Sequence, residues 1–542
     1  MSTAQSTGTG KGTKKSDGNR NDKAARTSGN AAGALTPFGR ALFDKPSARA
    51  LKRVGVVDVG SNSVRMVVFD GAARSPAYFF NEKIMCGLGA GMSETGRLNP
   101  EGRVRALSAL RRFAHLAKAM ETGPLTCVAT AAVREAIDGD DFHREVLEQT
   151  GLTLWVIDGR EEARLSAQGV LLGWPGAYGL VCDIGGSSME LAEINGGTVG
   201  RRVSSQLGPL KLRDMKGGRK ARRAYISETI EAMTAELGEQ KNRLFLVGGS
   251  WRAIARIDME RRSYPLHVLH EYRMRAASVR DTLAYIQASG DLEALRHRAG
   301  VSSARMSLVP QAAEVLREVV RIFKPHDIAV SSYGIREGML YEQMPQQLRD
   351  RDPLIEACRF TEAKDARVPG FGKVLYHFIM PLFKTAKPER VRLIKAACLL
   401  HDVNWRAHPD YRADICFDTA TRANLGGLKH SERIFLGLAL LHRYSNSTGH
   451  TRFEQVSRLI DDQLRRDAEI LGKAMRFGAM LWLQREAQPG ALHFYPKKKV
   501  LELRLAAETR ALFGEVAQAR LASLANSLGA TIEIAEMDAG KG

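Results

Sequence analysis

No stretch of these 542 residues is apolar for long enough to cross a membrane, a task that needs about 20 consecutive apolar residues in a helix. Residues 1–30, MSTAQSTGTGKGTKKSDGNRNDKAARTSGN, lack the apolar core of a secretory signal. They are polar, basic and rich in Gly, Ser and Thr, so residues 1–50 read as a disordered, solvated tail. Cysteine is sparse. The six thiols (Cys86, Cys127, Cys182, Cys358, Cys398 and Cys416) are scattered, with no C-x-x-C pair. That excludes a disulfide framework and a zinc ribbon, and fits buried thiols in a reducing cytoplasm. Acidic charge is in deficit: 80 Lys and Arg against 60 Asp and Glu leave a net charge of +20. Such a chain attracts polyanions. No zinc-finger spacing or single-strand RNA-binding signature accompanies the charge, which argues against a specific nucleic-acid partner.

What the sequence does contain is one pattern, twice. Residues 53–69 read RVGVVDVGSNSVRMVVF and residues 180–194 read LVCDIGGSSMELAEI. Each is an apolar run ending in Asp, then a Gly/Ser-rich turn, then a second apolar run. Asp58 is followed by Gly60, Ser61, Asn62 and Ser63; Asp183 is followed by Gly185, Gly186, Ser187 and Ser188. Glycine lets backbone N–H groups approach an anion, and hydroxyls add donors without bulk. A carboxylate at the strand end is a hard ligand for a divalent cation riding on that anion. One such turn is usually a plain hairpin. Two, each opened by Asp, indicate a duplicated phosphate-binding unit.

These two motifs are followed or interleaved by ATAAVREA (129–136), DGREEARL (158–165), LVGGSWRAI (246–254) and SSYGIREGML (331–340). In this order they resemble the exopolyphosphatase / guanosine pentaphosphate phosphatase family, within the sugar kinase–actin–Hsp70 superfamily. The resemblance covers residues 50–345 and is looser beyond. It implies an α/β fold of two duplicated actin-like (ribonuclease H-like) domains facing a cleft, at 51–175 and 176–345. It also implies a mainly helical HD-like region at 346–490, a small α/β terminal piece at 491–542, and a homodimer.

Alternation of strands and helices supports that architecture independently. Helices are predicted at 100–120, near 138–150, at 161–172 and at 226–237. Strands are predicted at 125–129, 153–157, 244–247 and 328–330. From residue 353 the pattern is helical. HFYPKKKVLELRL (493–505), a helix over 506–528 and ATIEIAE (530–536) read as a terminal βαβ piece. AACLLHDVNWRAH (396–408) resembles the HD phosphohydrolase helix. There the first ligand would sit near Phe360, which cannot bind a metal, so His401 and Asp402 read as a structural relic. The basic segment 211–223, KLRDMKGGRKARR, is either a solvated helix face or one wall of a channel for a long anion.

Hydrolysis of a phosphoanhydride needs phosphate charge neutralised and a water placed in line. The turns supply donors; Asp183, Glu190 and Asp58 are candidate ligands for Mg²⁺. Glu161 and Glu162 open a helix, where acidic residues commonly just complement the dipole. The resemblance assigns the catalytic base to Glu162, and phosphate contact to Arg134, whose alternative is a surface ion pair with Glu135 or Asp138. Gly248, Gly249 and Ser250 form a third turn, read as structural at the cleft edge. The expected function is release of terminal orthophosphate from inorganic polyphosphate in the cytoplasm. The alternative within the same chemistry is conversion of guanosine pentaphosphate to tetraphosphate, as in the stringent response. An ATP-dependent kinase on the same fold is disfavoured by a Glu base suited to water and by no evident pocket for an alcohol substrate, and a catalytically silent sensor by the intact Glu162, Asp183 and Glu190.

Overall fold

The computed structural model describes residues 53–537, apart from 72–73, 75, 239–241, 447–450 and 482–489. The basic tail at 1–50 lies outside the described residues. The first sheet contains β1 (Val54–Val59), β2 (Ser63–Phe69), β3 (Tyr78–Met85), β4 (Thr126–Ala129) and β5 (Leu154–Val156). Its order is β3-β2-β1-β4-β5, with β1–β3 antiparallel and β4 and β5 parallel to β1. The central strand buries Val54, Val56, Val57 and Val59. A strand covered on both faces reads as a nearly continuous apolar run, as VGVVDV does.

The second sheet contains β6 (Tyr178–Ile184), β7 (Met189–Asn195), β8 (Thr198–Ser205), β9 (Arg243–Val247), β10 (Tyr272–Met274) and β11 (Asp327–Val330), in the order β10-β11-β9-β6-β7-β8. From β8 to β11 this repeats the first sheet strand for strand, with β10 added antiparallel at the edge. The duplication read from two motifs is therefore a duplication of whole sheets, and the fold is the paired actin-like arrangement. Strand β8 was not among the sequence expectations. Its signal was present: Gly196 and Gly197, both at positive φ, form a two-residue hairpin turn between β7 and β8.

Two helices cross at the join between the halves. Gly159–Gly173, which ends the first half in sequence, packs on β6, β7 and β8, whereas Ile335–Glu342 packs on β1. They also pack on each other, and only glycine allows it. A Cβ on Gly338 would stand 1.7 Å from the Leu165 carbonyl oxygen, and one on Gly169 would stand 2.2 Å from that of Gly334. Arg74, buried, donates to the carbonyls of Leu171, Leu172 and Arg351 and so ties off the first of these helices.

Helices from Pro353–Asp365 to Asp462–Leu481 form the C-terminal region around their own apolar core. It ends in a three-stranded sheet of β12 (Gly490–Tyr495), β13 (Val500–Leu505) and β14 (Thr531–Glu536). The pair β13–β14 is parallel across the helix Glu515–Leu528, the expected βαβ unit. Residues 493–505 are not one strand, however. Pro496 lacks an N–H, and the chain turns there, with Lys499 at φ 52°, into an antiparallel hairpin. The helix expected over 506–528 is likewise broken by Phe513 and Gly514, after a 3₁₀ turn. The helix expected at 226–237 starts earlier, as Gly218–Glu236, because the basic segment continues its exposed face. All six cysteines are buried and unpaired, and among the described residues no helix is long and apolar enough to cross a membrane.

Candidate active site

The two Gly/Ser turns have the same geometry and meet. Gly60 N–H donates to the Ser63 carbonyl at 3.1 Å, and Gly185 N–H to the Ser188 carbonyl at 3.0 Å. Ser187 Oγ donates to Ser61 Oγ at 3.1 Å, joining one turn to the other. Each turn is braced from behind. Gly89 N–H holds the Ser61 carbonyl at 2.8 Å, while Gly208 and Leu210 N–H hold those of Ser187 and Gly186 at 3.1 and 2.9 Å. Gly208 has no alternative, since a Cβ there would fall 2.2 Å from the Ser187 backbone.

Between the turns lies a cleft of about 240 Å³, lined by Asp58, Ser61, Asn62, Ser63, Glu162, Asp183, Gly185, Gly186 and Ser188 among others. Glu190, Ser187 and Arg134 are not in its lining. Glu190 stands opposite Asp183 in the β6–β7 register and is 1% exposed, beneath the surface that Asp183 presents. Arg134 donates to the Ile157 carbonyl at 2.9 Å and stands 3.6 Å from Glu162 and 3.5 Å from Glu135. It contacts the expected base rather than the open cleft. The ion pair with Asp138 does not form; Asp138 pairs with Arg103.

The helix Gly159–Gly173 separates the roles of two adjacent glutamates. Asp158 caps it, accepting from Glu161 N–H at 2.7 Å, and Glu161 pairs with Arg164 at 2.6 Å. Glu162, one residue on, turns into the cleft. Its Oε2 is buried and has no hydrogen-bond partner among the described residues. Burial first, then the Asp183 carboxylate, with Asp58 adding and Arg134 opposing, push the Glu162 carboxyl up to about 8. Asp183, which accepts from Ser166 Oγ, is also raised, by burial first and against that hydrogen bond. Burial, then Glu162 and Asp183, hold Glu190 well above the usual carboxylate range; its Oε1 accepts from Ser204 at 3.1 Å, and its Oε2 has no partner among the described residues. Beyond burial, Asp183 thus raises both Glu162 and Glu190, and Glu162 raises Glu190, while Arg134 opposes the rise at Glu162 and Arg252 and Arg336 oppose it at Asp183.

The same cleft is also rich in cations. Arg65, Lys83, Arg252, Arg305 and Arg336 all line the cleft. Burial, then Arg336, lowers Arg65; burial, then Arg305 and Arg65, lowers Lys83. Burial, then Arg336 and Arg305, brings Arg252 down to about 10, and burial with Arg256 and Arg336 lowers Arg305. Arg336 alone is raised, because Glu337 and Asp58 outweigh its burial, and it donates to Asp58 Oδ2 at 2.9 Å. Clustered cations that depress one another make an anion-binding wall. Sequence reasoning assigned none of the five, although Arg65, Arg252 and Arg336 lie inside the quoted motifs. Lys83 and Arg305 carry no motif and are brought in by the fold.

The third turn is part of the wall, not an edge. Gly248, Gly249 and Ser250 line the cleft at the N-terminus of the helix Gly249–Arg261. Gly248 sits at φ 111°, and a Cβ there would meet the Ile184 carbonyl at 2.5 Å. Trp251 points away into the core, fully buried. The basic segment 211–223 follows the second turn through Gly208 and Leu210. Within it Arg222 is held by Glu314 at 2.6 Å and Arg223 stands 3.7 Å from Glu318.

In the helical region Arg367 grips Asp402 through Nε at 2.8 Å and Nη2 at 2.6 Å, and His401 Nδ1 lies 2.8 Å from the Cys398 carbonyl. Phe360 does not line the cavity beside them. Among the described residues, no three His, Cys, Asp or Glu side chains anywhere converge closely enough to hold a metal ion unaided.

Residues 67–347 match the Ppx/GppA phosphatase family, and residues 376–535 match the family described as exopolyphosphatase, C-terminal. Exopolyphosphatase 2 of Mycobacterium tuberculosis is 36% identical over 153 residues, which are 26% of this chain and 48% of that protein. The chain thus spans about half the length of that relative. Exopolyphosphatase 1 of Mycobacterium bovis is 25% identical over 318 residues, 56% of this chain and 92% of that one. A guanosine-5'-triphosphate,3'-diphosphate pyrophosphatase of Aeromonas salmonicida is 24% identical over 422 residues, 72% of this chain and 83% of that one. A solved Aquifex aeolicus Ppx/GppA family member aligns at TM-score 0.47 and 21% identity, over 56% of this chain and 99% of its own. The match to the family model covers more than half of the residues, and the chain belongs to the Ppx/GppA phosphatase family.

Proposed function

We propose that this protein is a cytoplasmic, homodimeric exopolyphosphatase that releases terminal orthophosphate from inorganic polyphosphate, with Glu162 as general base. The observation that carries the reading is Glu162 itself: a buried carboxyl raised to about 8, whose Oε2 accepts no hydrogen bond among the described residues and has Arg134 at 3.6 Å, in a cleft lined by five cations and two Gly/Ser turns. The cations and the turn amides bind a terminal phosphate group and neutralise its charge. Glu162 accepts a proton from water beside it, for which it must be ionised. Ser166 and Arg134 hold the carboxylates around it in place.

The carboxylates fit a divalent cation such as Mg²⁺. Glu162 and Glu190 each carry a buried oxygen without a partner among the described residues, and burial together with mutual repulsion raises both. Asp183 and Glu190 are the residues that would hold it, with Asp58 shared with Arg336. Since no three carboxylates converge, substrate phosphate and water would complete the shell, as is usual for Mg²⁺. When bound, the cation supplies further neutralisation of phosphate charge.

A second reading, hydrolysis of guanosine pentaphosphate to tetraphosphate in the stringent response, is supported by the Aeromonas relative, which matches the larger share of this chain. The deciding measurement is orthophosphate release from long-chain polyphosphate and from guanosine pentaphosphate at equal enzyme concentration, with and without EDTA. The proposal expects faster release from polyphosphate and loss of activity in chelator. Release only from guanosine pentaphosphate selects the second reading, and full activity in excess EDTA refutes the role of the metal.

A further inference from the structure

A cavity beside His401 and Asp402 lies apart from the cleft between the two turns. It has a volume of about 120 Å³ and is lined by Arg367, Phe371, His401, Asp402, Arg443 and Ala479, with Val368. A single water needs roughly 10–15 Å³ on that measure, so the cavity has room for a small polyatomic ion. Its charge is unbalanced. Asp402 is occupied on both oxygens by Arg367, at 2.8 and 2.6 Å, and Tyr444 Oη lies 3.5 Å from Oδ1. That pair is neutral as a whole.

Arg443 is left over. It is 8% exposed, its Nε has no hydrogen-bond partner, and no carboxylate pairs with it among the described residues. Its guanidinium lies 4.7 Å from the Tyr444 ring, which Arg412 approaches at 5.4 Å from its own side. Burial lowers Arg443, and the anion that opposes this from the same cavity is Asp402, which Arg367 already grips. A cation in this cavity would add to two guanidinium charges with only one carboxylate, already gripped. An anion would relieve the imbalance instead.

We propose that this cavity is an oxyanion site for a phosphate group, with Arg443 as its principal binding residue, at the position where an HD phosphohydrolase holds its metal. The planar fork of arginine holds two phosphate oxygens at once. The neutral His401 ring, whose Nδ1–H is directed to the Cys398 carbonyl at 2.8 Å, keeps a second nitrogen as acceptor for a phosphate hydroxyl. The phosphate comes either from free orthophosphate or from the end of a polyphosphate chain; the chemistry of recognition is the same.

The test is calorimetric titration of the full-length protein with inorganic phosphate. Two classes of site are expected: one in the cleft, abolished by Arg305→Ala, and one here, weakened at least tenfold by Arg443→Gln. Ala479→Leu provides a second variant that fills the cavity and leaves both arginines charged, and it should remove the same class without loss of fold by circular dichroism. Tripolyphosphate that competes for this class identifies a chain end as the ligand; tripolyphosphate that does not compete identifies free orthophosphate. The proposal is overturned if Arg305→Ala removes all phosphate binding, or if the second class persists unchanged in both Arg443→Gln and Ala479→Leu.

Discussion

At the scale of single residues, two adjacent glutamates with the same chemistry stand in different surroundings because their neighbours differ. Glu161 is paired with Arg164 at 2.6 Å, whereas Glu162 is buried near Asp183, with Arg134 at 3.6 Å from an oxygen that accepts no hydrogen bond among the described residues. Replacing Glu162 by Gln keeps shape and hydrogen bonding but removes the proton acceptor. Turnover should fall by about 100-fold or more with substrate binding retained, measured as kcat against KM. Retained turnover would transfer the role elsewhere. A base raised to about 8 is mostly protonated at neutral pH, so activity should rise with pH through that region, and added Mg²⁺ should move the rise to lower pH. Arg134 gives this a second handle. Its charge lowers the Glu162 pKa, so Arg134→Gln should displace the acid limb upward, costing about tenfold in activity below the limb for each unit of displacement. Arg134→Lys should restore part of it. A residue that only contacted phosphate would raise KM and leave the limb where it was. The motif marked Arg134 and Glu162 as functional in the sequence; that one tunes the other is visible only once Ile157 and the helix N-terminus bring them to 3.6 Å.

At the scale of elements, the cleft depends on two helices exchanged between the halves. Gly159–Gly173 carries Glu162 on one end and buries its length against the second sheet, while Ile335–Glu342 carries Arg336 and packs on β1. Glu337 stabilises the latter by accepting from Gly334 N–H at 2.7 Å and from Tyr78 Oη at 2.9 Å. Gly338→Ala puts a methyl group where the Leu165 carbonyl already stands, and neither backbone can move without displacing its own helix. This substitution should destabilise the protein by about 2–3 kcal/mol, at the upper end for overpacking. It should also lower kcat, because the helix forced aside carries Glu162, the proposed base. Thermal unfolding and steady-state kinetics would check the two effects together; an unchanged melting temperature would show that the crossing tolerates separation. Glycine in GIREGM looks from sequence like an ordinary helix interior position, so its role was not legible there.

At the scale of the whole molecule, the positive charge has been sorted. Five cations face the cleft, Arg222 and Arg223 lie beside Glu314 and Glu318, and Arg219 and Lys220 line a separate cavity of about 350 Å³ next to the helix Val309–Phe323. That helix begins where Arg305 and Leu308 line the cleft. If the substrate is a long polymer, neutralising Arg219 and Lys220 together should weaken binding of long-chain polyphosphate several-fold. Short chains, which end in the cleft, should be hydrolysed as before, and salt should erase the difference. Equal losses on short and long chains would make these residues structural. Arg222 is excluded from this test because Glu314 holds it in the fold. The sequence by itself determined the duplication, the turns and the family, because these are local patterns: strand periodicity and Gly/Ser turns lie within a few residues of one another, whereas the base role of Glu162 was implied by the family resemblance and not by its local pattern. Only the tertiary structure decided that Glu190 lies beneath the cleft, that the third turn is part of its wall, that Lys83 and Arg305 face the same space, and that Arg367 closes on Asp402. Those depend on side chains far apart in the chain being carried to one place by sheet order and helix crossing, which no local spacing encodes.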